Sequence, residues 1–575
     1  MTRKCWGNVA ALVAAGALAA GFWWQGERFL AANGPTFDEA VHLAAGYSYW
    51  TTGDFRLNRE DPPLLKLLWA LPLVLGDRPP YPHDVAAAHD NDHWRVGAAL
   101  LYDSGIPHAR LLTPARRVNL AVGCGVVLLA GWWAFRAWGS RLAGLAAGGF
   151  AAADPNLLAL SCVLSTDVGL TFFALLSAYL LWEYTARPSR GLLLAAGASL
   201  GLMLASKLSA LGVLAGFGGA AGLIVLRGGV LALPGTPTPV GGWTLGARVR
   251  AALDLAFRLG AVAVVVLAAT YGFVHFPHWG AGLQFQLTRK DFGNGTFYLC
   301  GELSRHGWYH YFLVVLALKL PLGLIAAAGV GTALLTGGRR EPTARPGRIA
   351  TSPPPPVRAR SAWLWVAPLV FLAAASYSRV DLGVRVVFPA VAFLYVVAGR
   401  LAAPGRFRCL RLLVLADCLA WAVISSAQAA PHQIAYFNEL AGGPVGGLRF
   451  VADSNLDWGQ GLPELKAYTD REGLDVIYLS YFGTARPEAH GIRYQYLPGY
   501  GQFTAPPDTV PADAPRHVLA VSANNLIGSY LEKDPDTYAW LRARTPVAVL
   551  GGSIYVFDLT GDPDAIRRVR ALGPQ

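Results

Sequence analysis

The chain has 575 residues, of which 54% are hydrophobic and only 15% charged, and a mean hydropathy of +0.37 excludes an ordinary soluble globular domain. The net charge of +12 is explained by arginines gathered in short loops and does not argue for nucleic acid. The six cysteines, Cys5, Cys124, Cys162, Cys300, Cys409 and Cys418, have no paired spacing, so neither a disulfide framework nor a zinc motif is expected.

Apolar runs near bilayer-spanning length fall at roughly 9–30, 117–135, 142–160, 168–183, 191–206, 208–226, 259–275, 309–336, 362–376, 384–399 and 410–428, which predicts about eleven transmembrane helices. The first run follows Arg3 and Lys4 and reads as a retained helix, because no small-residue cleavage site comes after it. From a cytoplasmic N-terminus, every second loop carries an arginine cluster: Arg136 and Arg141; Arg187 and Arg190; Arg227, Arg248 and Arg250; the run Arg339 to Arg360; then Arg400, Arg406, Arg408 and Arg411. Three large segments then lie on the far side: 31–115, 276–308 and 430–575. The expected organisation is a mostly α polytopic bundle over 1–429, followed by an extracytoplasmic α/β domain over 430–575.

Residues 34–69 hold the densest chemistry. Thr36 and Glu39 have capping-box spacing, which leaves Asp38 in the first turn of a helix without a structural task and on the same face as His42. Gly53 and Asp54 end that helix. Pro62 and Pro63 start another, LLKLLWALPLVL, whose apolar and basic mix suits a membrane surface. Further along the loop, His83, Asp84, His89, Asp90, Asp92 and His93 have metal-like composition without a recognisable spacing, so a solvated loop or lid is the default. Asp154 and Pro155 interrupt the third apolar run ahead of Ser165, Thr166 and Asp167. The proline-rich basic stretches LPGTPTPVGG and RREPTARPGRIATSPPPPVRAR read as linkers or lipid-headgroup contacts.

Beyond residue 430, LRFVA, DVIYLSYF, HVLAVSA, PVAVLG and SIYVFDL read as strands, with GLPELKAYTDREG and GSYLEKDPDTYAWLRAR as helices between them. The phrase DSNLDWGQGLPELKAY places Asp453, Asn455, Asp457 and Trp458 at a strand end. There Trp458 either touches carbohydrate or is buried in a turn.

Several basic residues break the positive-inside pattern: Arg116 and Arg117, Lys66, Lys207, Lys319, Arg379 and Arg385. An intramembrane lysine is costly and marks a site. Together these cations suggest a phosphate site at the outer membrane boundary, where a departing phosphate gains charge while an ionised carboxylate, Asp38, takes a proton from an acceptor hydroxyl. No nucleotide-binding glycine loop accompanies them. Scattered intramembrane charges also suit a lipid or solute transporter or flippase, although no internal repeat supports that alternative.

The DE pair after the first helix, EDPPLLK, the arginine after the first outer loop, STD, SKLSAL, ALKLPLGL and GVRVVFPAVAFL together resemble the GT-C membrane glycosyltransferases. The type is the polyprenyl-phosphate-sugar-dependent, family 39-like enzymes, which include protein O-mannosyltransferases and aminoarabinose transferases of lipid A. The resemblance spans roughly residues 30–400. It implies a GT-C fold and transfer with inversion from a polyprenyl-phosphate-linked sugar to an extracytoplasmic protein, lipid or glycan acceptor, with Asp38 as catalytic base or acceptor ligand. Arg117, Lys207, Lys319 and Arg385 would hold the donor phosphate, supported by Glu39, His42, Glu60, Asp61, Lys66 and Asp167. The resemblance implies no certain cofactor. Glu60 and Asp61 depart from the family's EKPP or His-containing pattern, and a divalent ion between Glu60 and His275 or His278 is the alternative to a plain helix-terminus hydrogen bond. Nothing about the C-terminal domain's function carries over.

Overall fold

The computed structural model describes residues 3–90, 92–237, 242–288, 296–336, 360–501, 508–531 and 533–573. The basic proline-rich stretch at 339–360 lies almost wholly outside the described residues, as do parts of the 233–242 linker and of the 276–308 outer loop.

The mostly α reading is borne out. Every one of the eleven apolar runs is helical, but continuity differs among them. Among the described residues, six helices are long and apolar enough to cross a bilayer, including Asn8–Ala32, His108–Trp138, Thr166–Ala186 and Leu245–Thr270. A seventh span counts only if Tyr311–Lys319 and Leu322–Leu335 are joined, and these two are bent by 110°. Pro321 stands at that break, where it removes a helical N–H. The run at 142–160 divides into Arg141–Ala152 and Pro155–Ser161, with Asp154 accepting from Asn156 N at 2.8 Å as the second helix's cap. Arg190–Leu204, Ala210–Leu226 and Ala362–Ser378 are apolar but shorter than 18 residues.

Small residues let the helices touch. A Cβ added at Gly131 would lie 2.9 Å from Gly144 O, so helices His108–Trp138 and Arg141–Ala152 meet backbone to backbone. Similarly, a Cβ at Gly46 would lie 2.0 Å from Lys66 O, which seats Glu39–Thr51 directly on Leu64–Leu75.

The second of these helices does not present its lysine to a membrane surface. Lys66 is fully buried, and its Nζ donates to Tyr49 Oη (2.8 Å), Asn58 O (2.8 Å), Asn58 Oδ1 (3.1 Å) and Asp61 O (2.7 Å). Carbonyl oxygens thus replace water around the ammonium and pin the loop between the two helices.

The C-terminal region carries strands β3 (Ile477–Ser480), β4 (Tyr494–Tyr496), β5 (Val518–Ser522), β6 (Ala548–Leu550) and β7 (Ile554–Asp558), in the order β4-β3-β5-β7-β6. A separate hairpin pairs β1 (Phe297–Leu299) with β2 (Glu302–Ser304). β3 runs parallel to β4 and β5, while β7 is antiparallel to β5 and β6. Leu462, Leu465, Ile477, Leu479, Val518, Ile554 and Val556 form a core of their own there. LRFVA is not a strand: only Val451 forms an isolated bridge, to Leu299. The helix expected over 528–544 reduces to one turn, Ala539–Leu541, while Pro563–Leu572 is an additional helix.

This region is docked on the entrance to helix Glu39–Thr51. Gly34 N donates to Gln460 O (2.9 Å), Phe37 N to Trp458 O (2.9 Å) and Thr484 Oγ1 to Phe37 O (2.7 Å). Arg486 adds an ion pair to Asp103 at 2.5 Å. The chain just before Asp38 is therefore held from both sides.

Candidate active site

Half of the capping box forms: Thr36 N donates to Glu39 Oε2 at 2.7 Å, but Thr36 Oγ1 finds no partner and the helix begins at Glu39 with Asp38 as its N-cap. Glu39 is fully buried and also accepts from Leu164 N (2.9 Å) and from Arg116 Nε (2.8 Å). Asp38 makes no side-chain cap bond, and among the described residues its carboxylate bonds Arg385 Nη1 alone, at 3.4 Å. Adjacent residues on a helix start point about 100° apart, so one acid is committed to the interior and the other turns into a cavity.

That cavity has a volume of about 800 Å³. Asp38, His42, Glu60, Asp61, Asp167, Lys207 and Arg385 line its polar part, while Leu211, Leu283, Leu287, Phe371 and Ala375 line an apolar flank. Asp453, Trp458, Phe482, Tyr500 and Tyr530 from the C-terminal region form a further wall.

Two of the four cations expected to hold phosphate come together here. Lys207 Nζ lies 2.5 Å from Asp167 Oδ1, and Ser165 Oγ donates to the other carboxylate oxygen at 2.6 Å. Asp167 sits in the first turn of Thr166–Ala186, where the helix N-terminus favours its charge. Arg385 is aimed by residues that the sequence does not link to it. Its guanidinium lies 4.5 Å from the Trp458 ring centroid, and Asn455 Oδ1 accepts from Val384 N at 3.0 Å. Trp458 thus carries Arg385 on its ring and Phe37 on its carbonyl, so one residue positions both members of the Asp38–Arg385 pair.

The other expected phosphate ligands sit elsewhere. Arg117 makes a two-pronged pair with Glu27, at 2.8 Å for both bonds, outside the cavity lining. Its neighbour Arg116 is the interior arginine, bound to Glu39. Lys319 is 1% exposed, and its Nζ donates to Ile434 O (2.9 Å), Tyr436 O (2.5 Å) and Asn455 O (2.7 Å). It fastens the bend after Tyr311–Lys319 to the C-terminal region. Both lysines, 66 and 319, are explained by carbonyl cages, and neither leaves a donor for phosphate.

His42 joins Asp61 to the turn before helix Thr166–Ala186: its Nδ1 lies 2.8 Å from Leu164 O and its Nε2 3.5 Å from Asp61 Oδ2. Burial opposes the imidazolium, but the bond and charge of Asp61 outweigh it and raise the His42 pKa. Burial likewise opposes ionisation of Asp61, and His42, Lys66 and Lys207 reverse it, so this carboxyl stays well below its ordinary range. The pair's contribution is complete between the ordinary carboxyl and imidazole values, about pH 4 to about pH 6.5. It is lost on the alkaline side as pH rises through the raised His42 value, and on the acid side as pH falls through the depressed Asp61 value. The thermal unfolding midpoint of His42→Gln in detergent is therefore expected to fall further below the unaltered protein at pH 5.5 than at pH 8.5.

Glu60 accepts from Asn58 Nδ2 at 3.2 Å and lies 3.7 Å from His93 Nε2, while His275 stacks on Phe55 (4.8 Å) and on His278 (6.0 Å). Among the described residues, no three or more His, Cys, Asp or Glu side chains gather as a metal site. Asp92 caps helix His93–Tyr102 through Trp94 N (3.0 Å).

Residues 107–290 match the family model of dolichyl-phosphate-mannose-protein mannosyltransferase, which bears out the resemblance read from the sequence. No curated protein matches the chain. Among solved structures, the chain is similar to ArnT from Cupriavidus metallidurans bound to undecaprenyl phosphate, with 13% identity over 100% of each chain and a TM-score of 0.47. The apo form of that protein gives 14% identity over 99% of this chain and 100% of that one, with a TM-score of 0.48. The S. cerevisiae protein O-mannosyltransferase Pmt1-Pmt2 complex bound to its sugar donor gives 19% identity over 52% of this chain and 40% of that one, with a TM-score of 0.30.

Proposed function

We propose that this chain is an integral membrane glycosyltransferase that moves a sugar from a polyprenyl-phosphate carrier to an acceptor hydroxyl on the extracytoplasmic face. The alternation of arginine-rich loops supports a cytoplasmic N-terminus, which puts the first loop and the C-terminal region on the same outer side. The observation that carries the reading is the meeting of Asp38, Arg385 and Lys207 in one cavity that has an apolar flank. An amphipathic donor needs that combination: an isoprenoid tail along Leu211, Phe371 and Leu287, and a phosphate among cations.

The chemistry follows from the charges. The acceptor oxygen attacks the anomeric carbon, its proton passes to the Asp38 carboxylate, and the bond from that carbon to the phosphate oxygen breaks with the electron pair leaving on phosphate. The phosphodiester thereby becomes a phosphomonoester with added negative charge, which Arg385 and Lys207 stabilise in a poorly solvated site. Each cation is paired with a carboxylate, Asp38 or Asp167, so its orientation is set before the donor arrives. Attack from the face opposite the leaving phosphate inverts the anomeric centre.

The test uses purified protein in nanodiscs with radiolabelled polyprenyl-phosphate sugars, following release of polyprenyl phosphate. Lys207→Met and Arg385→Met are each expected to lower kcat/KM by about a hundredfold or more, whereas Arg117→Ala stays within about twofold, as for an exposed pair. Equal losses in all three variants would remove the cavity as the donor site.

A further inference from the structure

We infer that the acceptor is a carbohydrate, bound by the apolar face of a pyranose ring on aromatic side chains shared between the first outer loop and the C-terminal region. This inference rests on the transfer reaction proposed above and names the partner that reaction takes.

Phe37 immediately precedes Asp38 and lines the same cavity. Its ring lies 5.2 Å from Phe482 and 5.7 Å from Tyr500, and those two lie 6.1 Å apart, with interplanar angles of 26°, 11° and 19°. Three near-parallel rings at nearly equal mutual distances cannot form one column, so they spread as a triangle. Tyr530 joins at 4.9 Å from both Phe482 and Tyr500. Trp94 meets Phe37 edge-on at 5.1 Å and 76°.

A core aromatic cluster would be closed off, yet Phe37, Trp94, Phe482, Tyr500 and Tyr530 all line the cavity. Beside them stands a further carboxylate, one that the transfer chemistry does not use. Asp453 holds a left-handed backbone (φ 60°), unusual for a residue other than glycine. That turn brings its side chain to the cavity, where Tyr530 Oη donates to it. Rings that accept C–H faces, next to a carboxylate that accepts hydroxyl hydrogens, are complementary to a sugar.

Trp458, which the sequence leaves between sugar contact and a buried turn, gives its ring face to Arg385. The sugar-facing rings are therefore its neighbours. One way of binding an extended peptide, addition to an unpaired strand edge, is not offered at this wall, since the edge strands β4 and β6 contribute no residue to the cavity lining.

With the sugar on this wall, one of its hydroxyls reaches Asp38 next to Phe37. The oxygen forms the new bond to the donor's anomeric carbon, the proton goes to Asp38, and polyprenyl phosphate leaves.

The full chain in nanodiscs is offered mannosyl-, glucosyl- and galactosyl-phosphoundecaprenol in turn. The acceptors are a panel of methyl hexosides and hexose oligosaccharides or, separately, serine- and threonine-containing peptides. The expected result is label on saccharide, with Tyr500→Ala raising the saccharide KM about tenfold and Tyr500→Phe restoring it. Saturation-transfer NMR on the methyl hexosides is expected to mark ring C–H protons in the unaltered protein and to lose that signal in Tyr500→Ala. Label on peptide but never on saccharide overturns the inference and leaves the transfer reaction standing. A saccharide KM that Tyr500→Ala does not change also overturns it. Failure of every donor to release polyprenyl phosphate with either acceptor overturns the transfer reaction, and this inference with it.

Discussion

Asp38→Asn is expected to lower turnover by about a hundredfold to ten-thousandfold, the range that a positioned general base contributes. The substitution keeps size and shape and removes only the charge. Little structural loss should accompany it, because the Asp38 side chain makes no cap bond to its helix and, among the described residues, its polar partner is Arg385, at 3.4 Å. What changes is the state of that arginine. Freed from its carboxylate, Arg385 has its full charge available to the donor phosphate, so the donor KM is expected to hold or fall while kcat collapses. A residue that merely held the acceptor would behave differently: saturating acceptor would restore kcat, and the loss would sit in the acceptor KM. Steady-state rates across both substrate concentrations separate the two outcomes, and near-normal kcat in correctly folded Asp38→Asn would remove Asp38 as the base.

How much of this site is legible in the sequence depends on what each residue's partner is. The freedom of Asp38 follows from local spacing, because Glu39 lies three residues after Thr36 and takes its amide, although Asp38 and not Thr36 stands at the N-cap. Helix positions likewise followed from apolar runs, and the break at Asp154 from a capping acid before proline. The cations were different. Lys66, Lys207 and Lys319 all stand as single charges in apolar surroundings. What separates them is the identity of the atoms around each ammonium. For Lys319 those are carbonyls of Ile434, Tyr436 and Asn455, more than a hundred residues away. No periodicity in the sequence reports such a cage.

The same limit applies to Asn455 and Trp458. Their dense polar-aromatic segment was conspicuous, but its task of aiming Arg385 depends on docking between distant parts of the chain. The aromatic wall went unread for a related reason. Phe37, Trp94, Phe482, Tyr500 and Tyr530 come from two widely separated regions and are unremarkable singly.

Breaking the Glu39–Arg116 pair is expected to cost about 3–5 kcal/mol of stability, the range for leaving one partner of a buried ion pair uncompensated. Both side chains are almost fully inaccessible, at 1% and 4% exposure. Glu39 gathers Thr36 N, Leu164 N and the arginine, while Arg116 also donates to Asn33 O (3.0 Å) and Gly34 O (2.7 Å). The pair therefore joins the end of the first helix, the start of Glu39–Thr51, helix His108–Trp138 and the turn before Thr166–Ala186. Arg116→Leu strands an acid with no cation, and Glu39→Leu strands a guanidinium. Each alone should markedly lower the thermal unfolding midpoint in detergent. The double variant should recover much of the loss, because replacing a whole buried pair with apolar side chains also removes the desolvation cost of both charges. Activity separates this role from that of Asp38. Asp38→Asn loses turnover at nearly constant stability, whereas Arg116→Leu loses both, since the segment that presents Asp38 to the cavity hangs from carbonyls that Arg116 holds. If Arg116→Leu were as stable as the unaltered protein, with normal turnover, the buried pair could not be what sets the position of the segment around Asp38.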